Sequence, residues 1–428
     1  MARPRTGMAD DGSESVSPPS GPGRRELIMV GAPDAELRIT ATKASSLTGA
    51  ELGPLADVAS DPDVVIRPLF GPTEERVLAA GSPQDVPVGA DGGGPQLVEE
   101  MARFYQVDAP DDRLDELMEQ LQSSPAVASA YIKPPAELPV RAEVMERLND
   151  MAPDASDAPP ATPDFTPRQG YLDAAPGGIS ARWAWTQAGG RGDGVRIVDC
   201  EWGWRFTHED LNQNQGGVIA GTADPTPNSR ATNHGTAVLG EISGDVNGIG
   251  ITGISPNAVI SASAFSVASA TAIRSAADRL GQGDIILLEI HRAGPNYPGG
   301  DTQFGFIAVE WWPDDYLVIR YAVNKGIVVV EAAGNGSQNL DDTVYNTPQS
   351  GFPSWWRNPF RRTELDSGAA VVGAGAPPSG NFGPDRSRLD FSNYGACLDA
   401  RLGSRSRQYR LRQSSRRLER RPLVHRHL

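Results

Sequence analysis

At 428 residues, 39% hydrophobic and 22% charged, the chain has room for two or three ordinary soluble domains. A net charge of −15 argues against nucleic-acid binding by its bulk. No run approaches the roughly 18 apolar residues of a membrane span. Two cysteines, Cys200 and Cys397, exclude a disulfide framework, and their spacing makes no metal knuckle.

In chain order, residues 1–24 read as a disordered tail, polar and rich in Ser, Pro and Gly. The tail lacks the apolar core of a secretory signal, so a chain beginning here reads as cytoplasmic, and as secreted if its start is misassigned. Residues 25–136 read as a small α+β domain. Leu37–Ala41 alternates like a strand, and Val64–Ile66 is a short apolar strand. Leu114, Leu117, Met118 and Leu121 follow helical spacing behind Asp111 and Asp112, and Val127–Ile132 is a strand. Residues 137–176 read as a Pro- and Ala-rich linker, the place to expect a maturation cut.

From Gly177 the pattern becomes an α/β rhythm. Strands are expected at Val195–Asp199, Val259–Phe265, Ile285–Ile290, Ile327–Glu331 and Ala369–Gly373. Helices are expected at 235–242, 270–280 and 318–324. Short β-branched strands separated by helices predict a doubly wound parallel sheet, with its site at the carboxyl ends of the strands. Asp199 and Asn335 fall at such ends, and His234 opens a helix as His234-Gly235-Thr236. A serine hydroxyl needs a base, the base needs a carboxylate to fix its tautomer, and the oxyanion needs a donor. Taken singly, Asp199 also fits a strand-end carboxylate, His234 a helix N-terminal histidine and Asn335 a turn residue. His208, Glu209, Asp210 and His234 fit a zinc cluster poorly, because adjacent residues seldom converge on one ion.

Five motifs in order resemble the subtilase (peptidase S8) family over about 220 residues: Asp199 with Trp202-Gly203 and His208-Glu209-Asp210-Leu211; His234-Gly235-Thr236; Gly250-Ile251-Thr252-Gly253-Ile254-Ser255-Pro256; Ala332-Ala333-Gly334-Asn335-Gly336; and Phe391-Ser392-Asn393-Tyr394-Gly395. The resemblance implies a subtilisin-like domain over 177–396 acting on protein or peptide substrates. It makes Asp199 the carboxylate that orients the base, His234 the base and Asn335 the oxyanion donor. It also makes residues 25–136 similar to a subtilase propeptide, a folding aid and inhibitor, although the same pattern fits an unrelated α+β domain. No cofactor or catalytic metal is called for, and structural calcium stays open.

The chain departs from the family in two places. Leu288-Glu289-Ile290-His291 stands where the family has Ser-x-Gly along the cleft. The Gly-Thr-Ser-x-x-x-Pro segment of the nucleophile is absent, and no serine after Asn335 lies in Gly-Thr-Ser or Gly-x-Ser-x-Gly. The aromatic pairs Trp311-Trp312 and Trp355-Trp356 either line the cleft or pack on the sheet. Residues 397–428 read as an aberrant Arg-rich end: from Arg401 onward ten Arg face one acid, Glu419. That composition fits a slipped reading frame in an Arg-rich, GC-rich gene, or a basic nucleic-acid tail. The readings in play are a serine endopeptidase by descent without its nucleophile, a peptide-binding pseudoprotease, and a nucleic-acid binder through the tail.

Overall fold

The computed structural model describes residues 24–40, 43–79, 94–140, 162–226, 229–378 and 383–401. The expected N-terminal tail (apart from Arg24), residues 141–161 of the expected linker and 402–428 of the Arg-rich end lie outside the described residues.

The N-terminal unit runs through strand β1 (Glu26–Gly31), the hairpin β2 (Leu37–Thr40) and β3 (Lys43–Ser46), helix α1 (Pro54–Ser60) and β4 (Val65–Pro68). It continues with α2 (Glu74–Ala79), α3 (Gly94–Met101), β5 (Phe104–Asp108), α4 (Leu114–Gln122), β6 (Val127–Lys133) and a two-residue strand, β7 (Ala136–Glu137). Strands β4-β5-β1-β6 form an antiparallel sheet in that order. Helix α4 shows why the sequence folds this way. Leu114, Leu117 and Leu121 share one buried face, Asp115 and Glu116 sit in the positive first turn, and the helix stops short of Pro125. Each leucine so buried contributes about 1.5–3 kcal/mol.

Both faces of this sheet are covered. On β1, Leu27 and Met29 pack beneath α1 and α4, while Ile28 and Val30 point the other way. Strand β6 alternates likewise: Ala130 and Ile132 face the unit's own helices, and Tyr131 faces outward from it. The outer face meets helices of the second unit, so one hydrophobic core runs across both units.

The second unit contributes β8 (Arg196–Glu201), β9 (Gln215–Ala220), α5 (Arg230–Ser243), β10 (Val259–Ala264), α6 (Ser269–Arg279) and β11 (Ile285–Leu288). After these come β12 (His291–Ala293), β13 (Phe306–Ile307), α7 (Pro313–Asn324), β14 (Val328–Ala332), β15 (Ala370–Gly373) and β16 (Leu398–Arg401). Seven strands pair in parallel in the order β16-β15-β14-β11-β8-β10-β9. The chain is thus an α/β protein with a parallel sheet and a smaller α+β unit, the class its sequence predicts.

Strand β8, interior to the sheet between β11 and β10, feeds both layers. Val198 and Cys200 join the core that holds α6 and α7, whereas Ile197 joins Leu239 of α5 on the opposite face. A strand's side chains alternate, so Asp199 and Glu201 share the α5 face with Ile197. Cys200 is fully buried and free, and burial pushes its thiol far up, as for a packed thiol.

The expected strands are present, with boundaries shifted by up to two residues. Within the parallel sheet two strands went unforeseen, the glycine-containing β9 and the terminal β16, and outside it so did β1, β3, β5, β7, β12 and β13. Helix α7 starts five residues before its expected beginning, because Pro313 occupies its first turn, where a missing N–H costs nothing. The tryptophans pack rather than line a cleft: Trp311, Trp312 and Trp356 are buried, with ring centroids 5.3 Å apart along the chain 312–311–356. Trp355 donates its indole N–H to Glu100 of the N-terminal unit at 2.7 Å. Among the described residues no helix is long and apolar enough to cross a membrane.

Candidate active site

His234 lies on the second turn of α5. Ser229 caps that helix, its hydroxyl accepting from the Thr232 N–H at 3.1 Å and donating to Asp224 at 2.6 Å. The helix begins five residues earlier than expected, so His234 sits within it rather than opening it. Gly235 explains how the ring reaches the sheet. A Cβ there would stand 2.2 Å from the Gly203 carbonyl and 2.7 Å from the Trp204 ring, so only glycine lets α5 close on the loop after β8.

The carboxylate that meets His234 is Glu201. Its Oε2 lies 2.8 Å from the histidine Nδ1. The sequence placed Asp199 in that position. Asp199 is fully buried two residues upstream, and its Oδ2 accepts instead from the Trp204 indole N–H at 2.7 Å. Both acids lie on one strand face, and Glu201 is the last residue of β8, nearer the open carboxyl edge of the sheet. Burial holds the Asp199 and Glu201 carboxyls well above the usual carboxylate range, and it pulls His234 below the usual imidazole range against the opposing pull of Glu289. Glu289, one residue past β11 and partly buried, is pushed up to about 7 by burial.

Asn335 follows β14 in a tight turn. Gly334 has φ +96°, and a Cβ on Gly336 would stand 2.2 Å from the Phe306 carbonyl. The Phe391–Gly395 motif latches this turn. Asn393, fully buried, donates to the carbonyls of Phe306 and Ala333 at 2.7 Å each and accepts from the Gln338 N–H at 2.7 Å. The Asn335 backbone N–H donates to His291 Nδ1 at 3.2 Å, and its side-chain amide donates to Gln303 Oε1 at 3.0 Å. His291 is fully buried and packs against Phe306 with the rings tilted by 50°, and burial pushes it down to about 3, so it stays neutral and serves the turn as an acceptor.

No protein-family model matches the chain. Subtilisin NAT of Bacillus subtilis subsp. natto is 30% identical over 239 residues, which cover 54% of this chain and 52% of that protein. Subtilisin amylosacchariticus of Bacillus subtilis subsp. amylosacchariticus is 29% identical over 242 residues, with the same coverage. Over about half of its length the chain is thus similar to subtilisin-like serine proteases. An extracellular serine protease of Aeromonas sobria is 37% identical over 93 residues, 20% of this chain and 15% of that protein. The chain therefore spans about half the length, or less, of the curated relatives it matches. Among solved structures, the epidermin leader peptide processing protease of Staphylococcus aureus superposes with a TM-score of 0.39 at 16% identity, over 72% of this chain and 67% of that one.

Beside the site the sheet edge is already occupied. Strand β12 pairs antiparallel with β13 on one side and with β7 of the N-terminal unit on the other. His291 faces Glu137 and Arg292 faces Ala136. Just beyond, the Leu138 carbonyl accepts from Gln303 Nε2 at 2.8 Å, which links the inserted segment to Asn335 through one glutamine. Gln303 was not anticipated, because it sits in a loop with no motif of its own. Among the described residues no serine hydroxyl is hydrogen-bonded to His234, and no group of three or more His, Cys, Asp or Glu side chains is arranged to hold a metal ion.

Proposed function

We propose that the chain is a subtilisin-like serine endopeptidase by descent, acting on protein or peptide substrates, whose present sequence lacks the nucleophile. The observation that carries this reading is the His234–Glu201 pair at 2.8 Å on the carboxyl edge of the parallel sheet. His234 is the base and Glu201 fixes its tautomer, the role first expected of Asp199. Asn335 is the oxyanion donor. In subtilisin itself, loss of the equivalent amide donor costs about 3–4 kcal/mol of transition-state stabilisation. With no serine in a Gly-Thr-Ser setting anywhere in the sequence, the chain as written is inactive. The N-terminal unit acts as a propeptide-like inhibitor, its β7 segment filling the cleft as an added strand. The Arg-rich end supports the slipped-frame reading.

A fluorophosphonate probe tests the assignment. The purified full chain is expected to take no label, and robust labelling of any serine overturns it. For the frame reading, a Gly-Thr-Ser-x-x-x-Pro segment is expected in another frame downstream of the Tyr394 codon, and its absence from both frames refutes that reading. The occupied edge of β12 supports a second reading, a pseudoprotease that holds peptides without cutting them.

A further inference from the structure

Asp199 loses its expected place on His234, yet it is not spare. It is fully buried on an interior strand of the sheet, two residues from Glu201 and on the same face. Each of the two acids has one well-placed oxygen: Asp199 Oδ2 takes the Trp204 indole N–H, and Glu201 Oε2 meets His234. Each also has one buried oxygen, Asp199 Oδ1 and Glu201 Oε1, with no N–H or neutral O–H donor. The two side chains project from the same face of β8, two residues apart, and both are fully buried. Two carboxylates cannot hydrogen-bond, and two adjacent unpaired anions in a dry site repel strongly. One proton between them satisfies both orphaned oxygens at once.

We infer that Asp199 is a positioning residue that holds a proton on Oδ1 and donates it to Glu201 Oε1, so that the pair carries a single negative charge, seated on Glu201 against His234. The surroundings choose this order. Glu201 gains stabilisation as an anion by accepting both the Asp199 O–H and the His234 N–H. Asp199 has only the neutral Trp204 indole to stabilise a charge, whereas Glu201 faces a ring nitrogen of the ionisable His234. The other charged groups facing His234 are Glu289, Glu241 and Arg230, and Glu289 also faces the pair. Seated this way, the His234 ring is oriented by a carboxylate that is itself fixed from behind, as outer partners fix ligands and bases elsewhere. The inference rests on the Glu201–His234 assignment proposed above.

The test needs no catalysis. The chain holds five histidines, His208, His234, His291, His425 and His427. Histidine 15N resonances of the full chain, with His234 assigned by its loss in His234→Asn, give its tautomer and titration midpoint. Asp199→Asn keeps a donor towards Glu201 and removes no charge if the inference holds. It is expected to leave the Nδ1-protonated tautomer in place and to shift the His234 midpoint by less than about half a pH unit. A fall of about one unit or more, the effect of deleting a nearby anion, overturns the shared proton. Glu201→Gln is expected to lower the midpoint by about one unit or more. If Glu201→Gln changes nothing, the Glu201 assignment itself fails, an outcome separate from the first. Should Asp199→Asn not fold, the unaltered chain with 13C-labelled aspartate carboxyls carries the test: one aspartate carbon is expected to stay at its protonated position above about pH 8, and none doing so refutes the inference.

Discussion

At the scale of single residues, the close approach of α5 to the loop after β8 decides the site, and Gly235 permits it. Alanine is a better helix former than glycine by about 1 kcal/mol, so Gly235→Ala in an open helix would stabilise. Here the new methyl would stand 2.2 Å from the Gly203 carbonyl and against Trp204, whose indole holds Asp199. The substitution is therefore expected to destabilise by about 1–3 kcal/mol, read from the urea midpoint. A raised midpoint would show that the loop yields freely. His234 and Asn335 were legible in the sequence because each sits among glycines that only a tight approach or turn requires. The partner of His234 was not. Asp199 and Glu201 share a strand face, so sequence period alone offers both, and only the position at which β8 ends selects Glu201.

At the scale of elements, the hydrophobic period located the buried strands β8, β10, β11, β14 and β15 and missed β9. Its Gln215-Gly216-Gly217-Val218-Ile219-Ala220 run carries few side chains to reveal a pattern, and it lies at the sheet edge, where little burial is demanded. Helix α5 was foreseen five residues short because its first turn, Arg230 to Asn233, is polar and is set by the cap at Ser229 rather than by apolar spacing. Removing that cap with Ser229→Ala is expected to cost about 1 kcal/mol. The measurement is the unfolding midpoint together with amide exchange at Thr232, which loses its acceptor. An unchanged exchange rate at Thr232 would show the cap to be idle. The same reasoning explains α7: Pro313, Asp314 and Asp315 lie outside the expected helix, yet proline and two acids suit a first helical turn.

At the scale of the molecule, those two acids join the units. Lys133 of β6, fully buried, lies 2.6 Å from Asp314, 3.1 Å from Asp315 and 2.9 Å from Glu26. Arg292, next to the cleft strand's His291, pairs with Glu26 at 2.5 Å. Each unit thus contributes both signs, and stripping one partner from such a buried set costs about 3–5 kcal/mol. Burial holds Asp315 up at about 6, while Arg292 and Lys133 overcome burial to hold Glu26 down at about 2. The folded chain therefore takes up a proton at Asp315 that the unfolded chain does not as pH falls through about 6, and stability rises over that window. Below about 4.5 the unfolded chain protonates Glu26 first, and stability is lost. Urea midpoints at about pH 7.5 and about pH 5 are expected to rise more on acidification for the native chain than for Asp315→Asn. Equal responses would remove Asp315 from the account. None of this cluster was visible beforehand, because pairing across 180 residues leaves no local pattern.

The short strand β7 has a consequence for any binding measurement. Only Pro134 and Pro135 separate it from β6, which the ionic cluster anchors. A strand tethered so closely meets its site at an effective concentration of about millimolar or higher. If β7 fills the cleft as proposed above, a free peptide offered to the intact chain would compete with that internal ligand, and its apparent affinity would fall by the ratio of the tethered strand's effective concentration to its intrinsic dissociation constant. Weak capture of peptides by the whole chain would thus measure the strength of the tether, not the quality of the groove beneath it.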